Sequence, residues 1–186
     1  MYIGICGLSG SGKSSLAKHL LEKYNNYLYI DIDKIGHEVN EYKEVKEELV
    51  NTFGDILTDN KVDRKKLGRV VFNNKPNMDK LEEITWKYME RRIDEIIGDN
   101  KNVIFDWMLL PKVKYFRECD LKILLDIPID IRRERIISRD NISIEYFNLR
   151  EASSYLYNKE DFDIVLTDNN YDIIDNLDDL NLHKNY

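Results

Sequence analysis

Eight residues near the start of the chain, Gly7-Leu8-Ser9-Gly10-Ser11-Gly12-Lys13-Ser14, satisfy the spacing G-x-x-x-x-G-K-[ST]. Glycines at these positions let successive backbone N–H groups curl around a polyphosphate. A helix opening at the end of the loop adds the positive end of its dipole. Lys13 is then within reach of β- and γ-phosphates, and the Ser14 hydroxyl can ligate Mg²⁺, with Ser15 next along the helix. The context fits the motif: an apolar run over 2–6 precedes it and a helix-compatible stretch over 13–24 follows. The expectation is a nucleoside-triphosphate site.

Moving a phosphoryl group to a hydroxyl also needs a carboxylate, to take the proton or to order Mg²⁺. Asp31 and Asp33 stand at the end of the second apolar run. On an extended segment they point the same way; if the chain is already turning, Asp33 caps the next helix instead. Asp106 ends the apolar run 103–105, the position of a Mg²⁺-holding acid in phosphate-loop enzymes, or else of an ordinary loop aspartate. Asp126 precedes Ile127-Pro128 and reads as a helix cap. Arg132, Arg135 and Arg139 fall at helical spacing on one face, with Arg133 beside them and Arg150 on the next helix. Their guanidinium forks suit phosphate oxygens, as in a mobile lid; the alternative is a solvated helix paired through Glu134 and Asp140. His37 has no partner that the sequence identifies, and Trp86 and Trp107 are expected in the interior.

These side chains require a scaffold. Short β-rich runs over 2–6, 27–30, 103–106, 121–126 and 164–166 alternate with helical patterns over 13–24, 34–51, 64–72, 77–97, 129–139, 144–155 and 171–180. That alternation predicts an α/β protein with a mostly parallel sheet. With 186 residues, three prolines and no repeats, it reads as one domain. The long interval between the second and third strands is too large for one crossover helix. It predicts a helical substrate-binding insertion, because ligands of open α/β sheets collect at the carboxyl ends of the strands. A net charge of −7 argues against a nucleic-acid partner. No apolar run approaches the ~20 residues of a membrane helix. The N-terminus runs straight into the phosphate loop, so no removable leader is expected. Cys6 and Cys119 lack metal-ligand spacing and are expected reduced in or beside strands, which suits the cytoplasm.

In order along the chain, the motifs resemble the dephospho-coenzyme A kinase family. The phosphate loop is followed by Asp31-Ile32-Asp33, His37-Glu38 and Phe53-Gly54. Next come the block Asp63-Arg64-Lys65-Lys66-Leu67-Gly68-Arg69-Val70-Val71-Phe72 and Leu81-Glu82-Glu83-Ile84. Arg135, Arg139-Asp140 and Arg150 are similar to the family's lid, and Phe162-Asp163-Ile164-Val165-Leu166 to a late strand. The resemblance implies a phosphate-loop nucleoside-triphosphate-hydrolase fold with a five-stranded parallel sheet flanked by helices. Its core would be 1–33 and 100–186, with the insertion at about 34–99 and a lid at about 132–156. It implies ATP and Mg²⁺ as cofactors and phosphorylation of the ribose 3′-hydroxyl of dephospho-coenzyme A. By the resemblance Asp33 would be the catalytic base and Arg64 a substrate-side residue; Asp31, Asp106 and Leu109 are further candidates for the substrate side.

Several positions depart from the family pattern. Trp86-Lys87 replaces a His-Pro, Met108-Leu109-Leu110-Pro111-Lys112 replaces Pro-Leu-Leu-x-Glu, Ser154 stands at a lid glutamine, and Asp106 is acidic where the family is apolar. These leave a nucleoside or nucleotide kinase as an alternative. A nucleotide switch is a second, although Asn73-Asn74-Lys75-Pro76-Asn77 lacks the Asp and the preceding strand of a guanine-reading motif.

Overall fold

The computed structural model describes residues 1–72, 74–152 and 154–174. The chain begins with strand β1 (Tyr2–Gly7), helix α1 (Lys13–Lys23) and strand β2 (Leu28–Asp31). Helices α2 (Ile32–Val39) and α3 (Lys43–Phe53) lead to short strands β3 (Leu57–Thr58) and β4 (Lys61–Val62), then α4 (Arg64–Val71) and α5 (Lys75–Ile97). Strand β5 (Val103–Asp106), helix α6 (Lys114–Glu118), strand β6 (Leu121–Leu125), helices α7 (Ile129–Asp140) and α8 (Ile144–Ala152), and strand β7 (Ile164–Leu166) complete the order. Residues 172–174 form a 3₁₀ turn; the remainder of the helix expected over 171–180 lies outside the described residues.

The chain divides into two units, Met1–Ile30 with the residues from Asp99 onward, and Asp31–Gly98. The first holds a five-stranded parallel sheet in the order β2-β5-β1-β6-β7. Strand β1 is central and covered on both faces, so its residues read as a continuous apolar run. Ile3, Ile5, Leu16, Ala17, Leu20, Ile104 and Ile123 are fully buried and join α1 to the sheet. From β1 the chain passes to β2 on one side and later to β6 on the other. The carboxyl end of β1 is therefore a topological switch point, where a crevice opens. Register places Ile5 opposite Asp106 on β5 and Gly7 opposite Leu125 on β6. Cys6 and Cys119 are both free and buried.

The second unit is helical, with Val45, Leu49, Ile56, Leu67, Val71 and Ile84 at its core. The single helix expected over 34–51 is two helices. Val39 and Val45 are both fully buried, yet six residues on one continuous helix would turn them about 120° apart. The break at Asn40-Glu41-Tyr42 brings both apolar stripes inward; Glu41 and Tyr42 N–H groups bond Glu38 and Val39 carbonyls at 3.0 Å in 3₁₀ fashion. An unforeseen hairpin joins β3 to β4, with Asp59 and Asn60 at φ 51° and 60°, as a tight turn of matching twist requires. The Asn74 side chain accepts from the Asn77 N–H at 3.1 Å and starts α5 two residues earlier than expected. Among the described residues no helix is long and apolar enough to cross a membrane.

Candidate active site

The first unit carries the phosphate loop at the end of β1. Gly7 has φ +149°, and a Cβ there would lie 2.6 Å from Ser11 Oγ and 2.8 Å from the Leu125 carbonyl. Gly12 has φ +97°, and its Cβ would meet Asn169 Nδ2 at 2.7 Å. Both positions therefore require glycine, and their backbone can approach an anion closely. Gly12 caps α1 with no side chain of its own, so the first N–H groups of an eleven-residue helix face the loop at its positive end. Lys13 and Ser14 are the first two residues of that helix, and Ser15 follows with its N–H on the Gly12 carbonyl at 3.0 Å. Leu8 accepts the Ser11 N–H at 3.1 Å, which closes the turn.

Ser14 meets the acid that ends β5. Its hydroxyl donates to Asp106 Oδ2 at 2.8 Å, and the Tyr29 hydroxyl from β2 donates to the same oxygen at 2.9 Å. Asp106 is only 4% exposed. A hydroxyl beside a carboxylate at the mouth of a phosphate loop fits Mg²⁺, a hard cation that takes few protein oxygens and completes its shell with water and phosphate. Among the described residues there is no cluster of three or more His, Cys, Asp and Glu that would form an all-protein metal cage. Burial, and then the neighbouring Cys119, raise the Cys6 thiol well above its ordinary pKa, so it stays protonated behind the loop.

The arginines do not act alike. Arg135 donates to the Gly10 carbonyl at 3.2 Å and to Asn169 Oδ1 at 2.8 Å, while Asn169 Nδ2 donates to the Ser11 carbonyl at 3.1 Å. Arg132, grouped with it by spacing, turns into the protein: it is 4% exposed and bonds the Ile127 carbonyl at 3.0 Å and the Glu151 carboxylate on α8. Its NH1 also contacts the Ser9 carbonyl at 3.4 Å. Arg139 forks onto Asp140 at 2.6 and 3.1 Å, and Arg150 reaches the same carboxylate at 3.4 Å. Asp126 is not a helix cap. Pro128 occupies the cap position of α7, and Asp126 pairs with Lys159.

Two further residues were not singled out in the sequence. Asn169 is one. Tyr157, after α8, accepts the Gly7 N–H at 3.1 Å and donates to the Met108 carbonyl at 2.8 Å. Burial pushes the Tyr157 phenol up, so it remains a donor. Leu109 follows Met108 and starts a 3₁₀ turn, accepting the Lys112 N–H at 2.9 Å. Trp107 is buried as expected.

In the second unit, Asp31 and Asp33 are not a pair on an extended strand. Asp31 closes β2 and caps α2, accepting the Lys34 N–H at 3.1 Å, while Asp33 lies exposed in the first helical turn. The cap expected of Asp33 thus falls to Asp31. Arg64 opens α4, whose cap is Asp63; its carboxylate accepts the Lys65 and Lys66 N–H groups at 2.9 and 3.1 Å and the Thr58 hydroxyl at 2.9 Å. His37 acquires neighbours that the sequence did not give it. Desolvation first, then the Arg64 charge, lower its pKa, and Asp33 and Asp31 oppose the shift. Trp86 is half-buried on α5.

Known proteins match this arrangement over most of its length. The family model described as dephospho-CoA kinase matches residues 1–173. A dephospho-CoA kinase of Fusobacterium nucleatum is 34% identical over 97% of this chain and 93% of its own. One of Aquifex aeolicus is 33% identical over 80% and 77%, respectively. Among solved structures, TT1252 from Thermus thermophilus superposes with a TM-score of 0.77 at 26% identity, over 97% of this chain and 94% of its own. The fold is shared with a dephospho-CoA kinase from Campylobacter jejuni, with a TM-score of 0.58 at 21% identity over 96% and 93%.

Proposed function

This chain belongs to the dephospho-CoA kinase family, and on that premise we propose how its residues divide an ATP-dependent phosphorylation of dephospho-CoA at the ribose 3′-hydroxyl. The loop amides at the start of α1 and the Lys13 ammonium hold the donor's β- and γ-phosphates and stabilise the charge gathering on the transferring group. Ser14 and Asp106 would supply oxygen ligands for Mg²⁺, which would neutralise phosphate charge during transfer. Arg135, already seated on the loop, adds a guanidinium. Arg139 and Arg150 exchange their shared Asp140 for phosphate oxygens.

Asp33 accepts the proton of the attacking hydroxyl. A bond forms from that oxygen to the γ-phosphorus, the bond to the β-phosphate oxygen breaks, and ADP leaves. Arg64, Asp31 and Leu109 serve the acceptor. Asp31 does so through the cap of α2, which sets where Asp33 stands in the helix. The substrates are small molecules, and the buried free cysteines suit a cytoplasmic enzyme.

The observation that carries this reading is the contact of Ser14 with Asp106 at the mouth of the glycine loop. The Asp33→Asn variant tests it. It keeps the carboxylate's shape without its basicity, so nucleotide binding should persist while transfer falls by roughly 10²–10⁴. Unchanged turnover removes Asp33 from the chemistry.

A further inference from the structure

Strands β1 and β5 stay in register to the pair Ile5 and Asp106, and the Trp107 N–H still donates to the Ile5 carbonyl at 3.2 Å. In a continued parallel ladder, the Gly7 N–H would next donate to the Trp107 carbonyl. The strands part there instead. β1 turns into the phosphate loop, and β5 into the segment containing Met108 and Leu109. The Tyr157 hydroxyl fills the fork, accepting from Gly7 N–H at 3.1 Å and donating to the Met108 carbonyl at 2.8 Å. Its ring stands edge-on to Tyr155 and Phe162, with centroids 5.0 and 5.7 Å away, so the ring that carries the hydroxyl is packed against two aromatics.

We propose that Tyr157 is a positioning residue for phosphoryl transfer, its hydroxyl fixing the first glycine of the phosphate loop relative to the backbone at Met108. The proposal rests on the functional reading above. One hydroxyl satisfies both the Gly7 N–H, which the diverging strands leave without its ladder partner, and the Met108 carbonyl. Removing it leaves both unpaired in a partly buried fork. The loop then relaxes, and its amides lose their alignment with the transferring phosphoryl. Misalignment costs more in the transition state than in the bound triphosphate, where Lys13 and the α1 terminus still supply charge. The effect therefore falls on kcat more than on nucleotide affinity.

The experiment compares the wild type with Tyr157→Phe, which keeps the ring, and with Ile123→Val, which trims a fully buried core side chain of β6. Turnover of ATP with dephospho-CoA, calorimetric ATP affinity and thermal unfolding are measured for each. Tyr157→Phe should lose about tenfold or more in kcat while its ATP Kd moves less than about threefold. Ile123→Val should lower the melting temperature and leave the kinetics as they were. Tyr157→Phe with wild-type kcat, or with kcat lost only in proportion to folded protein, overturns the proposal. Hydrogen exchange at the Gly7 amide gives a second reading independent of turnover. Slow exchange in the wild type that quickens in the variant is expected, and fast exchange in the wild type overturns the bridge outright. A wild type that binds ATP yet leaves dephospho-CoA unmodified defeats the functional reading instead, and the exchange measurement still decides on Tyr157.

Discussion

The Ser14 hydroxyl, on the first turn of α1, donates a 2.8 Å hydrogen bond to Oδ2 of Asp106 at the end of β5. Two residues 92 positions apart are brought together because β5 is the immediate neighbour of β1 in the sheet. The Tyr29 hydroxyl donates to the same carboxylate oxygen, so two hydroxyls that a cation can displace meet at Asp106 Oδ2.

Asp106→Asn should therefore weaken the metal rather than the fold. The amide retains acceptor geometry but loses the anionic oxygen that Mg²⁺ prefers. Half-saturation for Mg²⁺ in the turnover assay is expected to rise about tenfold or more, with a lower kcat at saturation. A Mg²⁺ curve that superposes on the wild type excludes Asp106 from the metal site.

Arg132 and Glu151 form an ion pair whose side chains are 5% and 20% exposed, linking α7 to α8. Breaking such a pair strands a charge, so Glu151→Gln and Arg132→Met should each cost about 3 kcal/mol in urea unfolding. The double variant should recover a large part of that loss. Additive losses across the cycle contradict a coupled pair.

Asn169 holds Arg135 with its carbonyl and the Ser11 carbonyl with its amide. Asn169→Ala removes both anchors. We expect KM for ATP to rise roughly fivefold, the worth of about 1 kcal/mol of hydrogen bonding, with a smaller change in kcat. An unchanged KM shows that Arg135 is seated without it.

His37 should titrate below its ordinary value of 6.5. The unfolded chain then binds more protons than the folded one just below that pH. The stability associated with neutral His37 is complete above about pH 6.5 and is lost as pH falls toward the folded midpoint. Following the imidazole proton resonances across pH gives the midpoint directly. Arg64→Ala should move it upward, because the Arg64 charge is one of the two causes that lower it. A midpoint above 6.5 in the wild type contradicts this environment.

How much of this was legible in the sequence depended on the distance over which residues act. The loop from Gly7 to Ser14 and the strands around it were readable because motif spacing and apolar runs are local. Asp106 was readable as a strand-end acid. Arg132 and Arg135 share a helical face by spacing, yet one is buried on Glu151 and the other lies on the loop. That division follows from what α7 packs against, which periodicity does not encode. Tyr157 and Asn169 act across about 150 residues through ordinary side chains, with no motif to mark them. The hairpin had a usable signal in Asp59-Asn60, residues that tolerate positive φ. The break after Val39 could also have been read, from the six-residue offset to Val45.

The most direct measurement mixes the purified protein with ATP, Mg²⁺ and dephospho-CoA and follows the acceptor by mass spectrometry, with nucleosides and nucleoside monophosphates in parallel reactions. The proposed reaction adds one phosphoryl group to dephospho-CoA for each ADP released, on its ribose 3′-oxygen, and leaves the other acceptors unchanged. Release of ADP with dephospho-CoA unmodified, or transfer to a nucleoside or nucleotide in its place, would contradict it.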